Sequence, residues 1–164
     1  MINDVRALRE EGALEMAAAL GVPVCLMHMQ GQPRSMQQEP RYTDVVSDVM
    51  AFLSQRAVAC ERAGIARELL VIDPGFGFGK TLEHNVELLA RLGEFTALGL
   101  PVLAGLSRKS TLGALTGRDV RDRVAGSVAA GAIACLNGAQ ILRVHDVAES
   151  RDAARIAAAI RDRE

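Results

Sequence analysis

The sequence predicts an α/β fold built on a parallel sheet of about five βα units. Short apolar runs alternate with longer segments of helical period along the 164 residues, the pattern of strand-helix-strand crossovers. The runs are apolar on both faces, as strands covered on two sides by helices must be. Three successive strands then end in polar clusters, and the C-terminal ends of parallel strands are where ligand-binding groups gather.

The first strand is a tail ending near Ile2, with Asn3-Asp4 as its polar end, and a helix over Ala13 to Leu20 follows. Pro23 to Met27 is the second strand. The helix after it, Tyr42 to Ala63, carries Val45, Val49, Phe52, Leu53 and Ala57 as one stripe at helical spacing. Leu69 to Ile72 is the third strand and precedes a helix over Glu83 to Leu92. Pro101 to Ala104 is the fourth, with a helix opening near Ser110 and another over Val124 to Leu136. Gln140 to Val144 is the fifth, and Ala148 to Arg161 the last helix. Gly21, Gly64, Gly99 and Gly138 stand just past helices, where a left-handed residue belongs. No low-complexity stretch or linker divides the chain, so residues 1–164 read as one domain. A complete (β/α)8 barrel needs ~250 residues. The pattern therefore fits either an open five-stranded sheet or the C-terminal part of a barrel, and the part-barrel is favoured because Asn3-Asp4 is already a strand end.

Composition narrows the function. Apolar residues make up 49% and the formal net charge is −1, which argues against disorder, a nucleic-acid surface or a polybasic membrane patch. With four Phe, one Tyr and no Trp, the core must be built mainly from Leu, Val, Ile, Ala and Met. Cys25, Cys60 and Cys135 are odd in number and far apart, as reduced thiols of a cytoplasmic protein are. The N-terminus has no signal-peptide pattern, and no apolar run approaches the ~20 residues of a membrane span.

The chemistry concentrates in the strand ends. Asp73-Pro-Gly-Phe-Gly-Phe-Gly-Lys80 joins the third strand to its helix. It misses GxxxxGK[ST] because Pro74 replaces the first glycine, and misses GxGxxG because Lys80 replaces the last. Its alternating glycines would let the backbone approach a flat ligand. Asp73 can accept two parallel hydrogen bonds from the N–H and NH2 edge of an amino-heterocycle; a helix cap or structural turn is the plainer alternative. Ser107-Arg-Lys-Ser110 opens a helix, so free amides, a hydroxyl and Lys109 form an anion site unless Lys109 is simply solvated. Arg143 and His145, two residues apart on a strand, project to one side as a diphosphate clamp. Asp146 reads as a cap of the last helix, Met27 as a soft apolar wall, and His28 and His84 as structural groups. The histidines and cysteines have no zinc-ligand spacing.

These motifs, with Ile2-Asn3-Asp4, Met27-His-Met-Gln-Gly31 and Arg143-Val-His-Asp-Val147, resemble dihydropteroate synthase along essentially the whole chain. The resemblance implies a (β/α)8 (TIM) barrel, here a partial one. It implies condensation of 6-hydroxymethyl-7,8-dihydropterin diphosphate with p-aminobenzoate, releasing diphosphate, with Mg2+ as cofactor, sulfonamides as inhibitors and a homodimer formed through the last helices. Carried over by motif, Asn3, Met27, Asp73, Gly105, Lys109 and Arg143 would hold the pterin. Gly77, Phe78, Lys109 and Ser110 would hold p-aminobenzoate, and Arg143 and His145 the diphosphate; Lys109, Arg143 and His145 would be catalytic. The family's first three strands, with a magnesium-binding Asn, a second pterin-binding Asp and two covering loops, precede Asn3, so no metal ligand is expected in this chain. The expectation is a fragment with little activity alone, whose open sheet edges invite aggregation or pairing. The alternatives are a non-catalytic pterin-binding remnant and the pterin-binding domain of a methyltetrahydrofolate methyltransferase.

Overall fold

The computed structural model describes residues 1–31, 36, 38–161 and 163. Five strands alternate with helices in chain order: β1 (Ile2–Asp4), α1 (Ala13–Leu20), β2 (Val24–Met27), α2 (Val45–Arg62), β3 (Leu70–Asp73), α3 (Leu82–Ala90), β4 (Leu103–Ala104), α4 (Ser110–Thr116), α5 (Val124–Leu136), β5 (Ile141–Leu142) and α6 (Val147–Arg161). Strands pair in sequence order and in parallel: β1 with β2, β2 with β3, and β4 with β5. A single parallel bridge, Ile72 with Val102, joins β3 to β4.

Side-chain alternation along these strands separates two cores. Val24, Leu26, Leu70, Ile72, Val102 and Ala104 face outward and pack with Leu53, Leu88, Leu112 and Ala134 of the helices. Cys25, Val71 and Leu103 face the other way and form a second cluster with Ile141 that contains no helix residue. Helices covering both faces, expected from the doubly apolar runs, are not what the chain builds. The inner face is apolar because strands curl toward one another over it, as in a barrel, and this decides the part-barrel over the open sheet.

Asn3 and Asp4 lie within β1 rather than beyond it, paired with Cys25 and Leu26. Asp73 is the last residue of β3 and pairs with Met27. The expected fourth and fifth strands shrink to two residues each. The helix expected from Tyr42 starts at Val45 because Asp44 caps it, its Oδ1 accepting the Ser47 N–H at 2.7 Å. Three 3-10 turns (Arg67–Leu69, Leu92–Leu98 and Val120–Asp122) left no periodic mark in the sequence. Among the described residues no helix is long and apolar enough to cross a membrane.

The two-core arrangement places stability on the outer face. Leu53 is fully buried whereas Ile156 on α6 is 65% exposed. Leu53→Ala should lower the unfolding free energy by ~2–5 kcal/mol and Ile156→Ala by less than ~0.5 kcal/mol, as read by urea denaturation. Equal effects would mean that the outer core is not the stabilising one.

Candidate functional site at the C-terminal mouth of the sheet

β3 delivers Asp73 to the inner face at the strand's C-terminal end, 1% exposed. Its Oδ1 accepts the Gly75 N–H at 2.8 Å. Its Oδ2 is buried and has no hydrogen-bond partner among the described residues; the nearest cation, Arg143 Nη2, stands at 3.6 Å. Burial pushes the Asp73 carboxyl up, opposed by the Gly75 amide and by Arg143, Lys109 and Lys80. Cys25 below it is pushed up to about 12 by burial and then by Asp73, so it is a neutral thiol.

The loop after Asp73 is fastened to the loop after β2. A Cβ on Gly75 would lie 1.9 Å from the His28 carbonyl oxygen, and one on Gly79 2.5 Å from that of Gln30; both have positive φ. These glycines therefore admit neighbouring backbone, not a flat ligand as the sequence suggested. Lys80, 3% exposed, donates from Nζ to the Gly75 carbonyl at 3.0 Å and the Phe78 carbonyl at 3.1 Å. Its Nζ also meets His28 Nδ1 at 2.9 Å. Burial pushes His28 down to about 3, with Lys80 and Arg9 adding to it. The neutral imidazole thus accepts from the ammonium. Burial also pulls Lys80 toward about 7, while its three acceptors favour the charged form. Asn85 of α3 accepts the Gly77 N–H at 2.6 Å and donates to the Thr81 carbonyl at 2.5 Å. His84 completes a capping box with Thr81. Both histidines are structural, as expected.

Across the mouth, a cleft of about 220 Å³ is lined by Phe78, Gly105, Ser107, Lys109, Arg143, Val144 and His145. Lys109 lies over the Phe78 ring, 4.6 Å from its centroid, and donates to the Phe76 carbonyl. Burial lowers it to about 8, with Asp73 opposing and Arg143 assisting. Gly105 leaves room for the Arg143 guanidinium, since a Cβ there would sit 2.8 Å from Nη2. A second cleft of about 230 Å³ lies between the glycine loop and α4, lined by Gly77, Lys80, Leu82, Asn85, Ser110, Thr111 and Ala114.

The strand ends thus bring Asp73, Gly105, Lys109, Arg143, His145 and Phe78 to one mouth. Gly77 and Ser110 line the adjoining cleft. Met27 is fully buried beside Asp73 in register. Asn3 shares their face but stands two residues lower, level with Cys25, and is exposed on the edge strand. Asp146, expected as a helix cap, stands at that position, but its carboxylate receives Arg108 Nε at 3.0 Å and Nη2 at 2.5 Å. Arg108 has φ 58°, and Arg123 donates to the carbonyls of Arg108 at 3.1 Å and Lys109 at 3.3 Å. Lys80, Asn85, Ser107 and Arg123 were not singled out as site residues from the sequence. Lys80 carried a signal as the residue that broke the glycine pattern, and Ser107 as the first residue of the cluster Ser107-Arg-Lys-Ser110.

A family model described as pterin binding enzyme matches residues 1–145. Dihydropteroate synthase from Escherichia coli (strain K12) is 53% identical over 156 residues, 95% of this chain and 55% of that protein. The Yersinia pestis dihydropteroate synthase, solved in a sulfonamide drug complex, superposes with TM-score 0.97 at 52% identity, over 99% of this chain and 60% of that one. The Stenotrophomonas maltophilia enzyme, with imidazole bound in its active site, gives 0.94 at 60% identity, over 98% and 61%. The chain spans just over half the length of the curated relatives it matches.

The Lys80 clamp makes a prediction of its own. Lys80→Met keeps the stem but leaves the Gly75 and Phe78 carbonyls and His28 Nδ1 without their donor. It should cost about 2 to 4 kcal/mol in urea unfolding, and protease should cut first within residues 74–80. Wild-type stability with an unaltered cleavage pattern would show that the loop is held by other contacts.

Proposed function

The chain belongs to the pterin-binding enzyme family, and from that membership we propose that it is the C-terminal part of a dihydropteroate synthase. It would hold 6-hydroxymethyl-7,8-dihydropterin diphosphate for condensation with p-aminobenzoate, with little turnover by itself. The observation that carries this reading is Asp73 Oδ2, a buried carboxylate oxygen without a hydrogen-bond partner among the described residues. Buried polar groups are almost always satisfied, so an oxygen left without a donor behind Arg143, which lines the cleft, is complementary to a donor that arrives with the ligand. The guanidine-like edge of a pterin supplies such a donor pair.

The roles follow from position. Asp73 accepts the amino-pyrimidine edge, Met27 walls the ring, Gly105 leaves room for Arg143, and Asn3 adds a polar contact lower on the same face. Lys109 reaches the ring carbonyl, and Ser110 takes the aminobenzoate carboxylate with Gly77 and Phe78 beside it. In the reaction the C–O bond to the pterin methylene breaks with its electron pair leaving on diphosphate. The aniline lone pair forms the new C–N bond, and nitrogen then sheds a proton. Arg143 and His145 stabilise the departing charge, and the ring is held in line for attack, so rate comes from electrostatics and alignment. A methyltransferase's pterin domain has no diphosphate to bind and leaves Arg143 and His145 without a task.

The Mg2+ implied by the family finds no group of three or more His, Cys, Asp or Glu side chains among the described residues, so no step above runs through it. A cytoplasmic location, sulfonamide binding and a homodimer belong to the same proposal.

Asp73→Asn tests it. The dihydropterin diphosphate should raise the melting temperature of the wild-type chain. The variant, which keeps the Gly75 bond but loses the anionic acceptor, should bind roughly 10- to 100-fold more weakly. No shift in the wild type, or an equal shift in both, contradicts the assignment. Lys109 adds a pH signature. Its folded pKa of about 8 lies below the ordinary ~10.4 of lysine, so its charge is present below about pH 8 and lost above it. The ligand-induced increment in melting temperature should therefore shrink as the pH rises through that value. A flat increment would remove Lys109 from pterin binding.

A further inference from the structure

Ser107 has no part in the assignments above, yet it lines the cleft. Its side chain is buried, 6% exposed, just beyond β4. Among the described residues its Oγ makes two hydrogen-bonding contacts, both with His145: it accepts the backbone N–H at 3.2 Å, and it lies 3.1 Å from Nδ1. His145 itself is exposed and lines the cleft.

A hydroxyl has one proton to give and two lone pairs. The amide N–H can only donate, so it occupies one lone pair of Oγ. Among the described residues Nδ1 is then the one acceptor in reach of the hydroxyl proton. If the ring instead donated from Nδ1, the hydroxyl proton would be left without an acceptor among those residues, in a nearly buried side chain, and that is costly. The arrangement in which every group is satisfied has Ser107 donating and Nδ1 accepting.

We propose that Ser107 is a positioning residue for His145. Its hydroxyl fixes the neutral imidazole as the tautomer that carries the proton on Nε2, with the ring turned to the cleft. A partner on one ring nitrogen determines what the other presents. Here the nitrogen left for the cleft is a donor, the polarity that an anionic oxygen requires. A histidine in the opposite tautomer would present a lone pair to the same oxygen and repel it. Arg108 reinforces the placement, since its paired bonds to Asp146 tie the loop of Ser107 to the residue next to His145. The consequence for diphosphate rests on the proposed function; the tautomer does not.

The test is nitrogen-15 NMR of the histidine rings at about pH 8.5, where a free imidazole is neutral. Spectra would correlate ring carbon-bound protons with ring nitrogens, and His145→Gln would assign the signals by their absence. Wild type should show His145 protonated on Nε2, with Nδ1 carrying the far-downfield shift of an accepting nitrogen. Ser107→Ala should give an averaged pair of shifts and roughly 3- to 10-fold weaker binding of inorganic pyrophosphate by calorimetry, and Ser107→Thr should restore both. A wild-type ring protonated on Nδ1, or a tautomer unchanged in Ser107→Ala, overturns the proposal, and the wild-type spectrum decides even if a variant fails to fold. Should pyrophosphate not bind wild type while the tautomer follows Ser107, positioning stands and the diphosphate reading falls.

Discussion

Asp73 receives one hydrogen bond, from the Gly75 amide at 2.8 Å, on a carboxylate that is otherwise buried. Its other oxygen waits among Arg143, Lys109 and Lys80, all of which favour the ionised form without bonding to it. Burial works against the charge, and ionisation depends on those cations staying where they are. Most of the structure near the mouth serves that end. Gly75 turns tightly enough to present its amide, and it can do so only because no Cβ meets the His28 carbonyl. Lys80 holds the turn by two carbonyls and His28. Gly105 leaves the volume that Arg143 fills.

The far side is held in a different way. Ser107 to His145 and Arg108 to Asp146 are side-chain bridges between the ends of neighbouring short strands. β4 and β5 share only two residue pairs, too few for the ladder alone to fix the loops beyond them. Arg123, reaching from the start of α5, adds bonds to the carbonyls of Arg108 and Lys109. The loop that carries Lys109 is thus fastened at Ser107, at Arg108 and at the Lys109 carbonyl, while the Lys109 ammonium bonds the Phe76 carbonyl and lies over the Phe78 ring.

Much of this was legible in the sequence because its signals are local. Apolar runs marked the strands, helical period marked α2 and α5, and polar residues at strand ends marked Asp73, Lys109, Arg143 and His145. Short-range reading failed where the deciding contact comes from elsewhere in the chain. Gly75 and Gly79 looked like parts of a ligand cradle, but their neighbours are carbonyls some 50 residues earlier, at His28 and Gln30. Ser107 looked like one more hydroxyl at a helix start, and its partner is 38 residues away. Asp146 stands where a cap belongs, but its carboxylate is taken by Arg108, 38 residues away. Doubly apolar strands were read as lying between two helical layers, because hydrophobicity reports burial and not what does the burying. The two cores separate only once the register is known.

A co-crystal structure of the chain with the dihydropterin tests the central claim most directly. The amino-pyrimidine edge should lie on Asp73, with a new donor within hydrogen-bond distance of Oδ2, which has none among the described residues, and with the side bearing the leaving group turned toward Arg143 and His145. A pterin bound elsewhere, or bound in this cleft with Asp73 Oδ2 still bare, would contradict it.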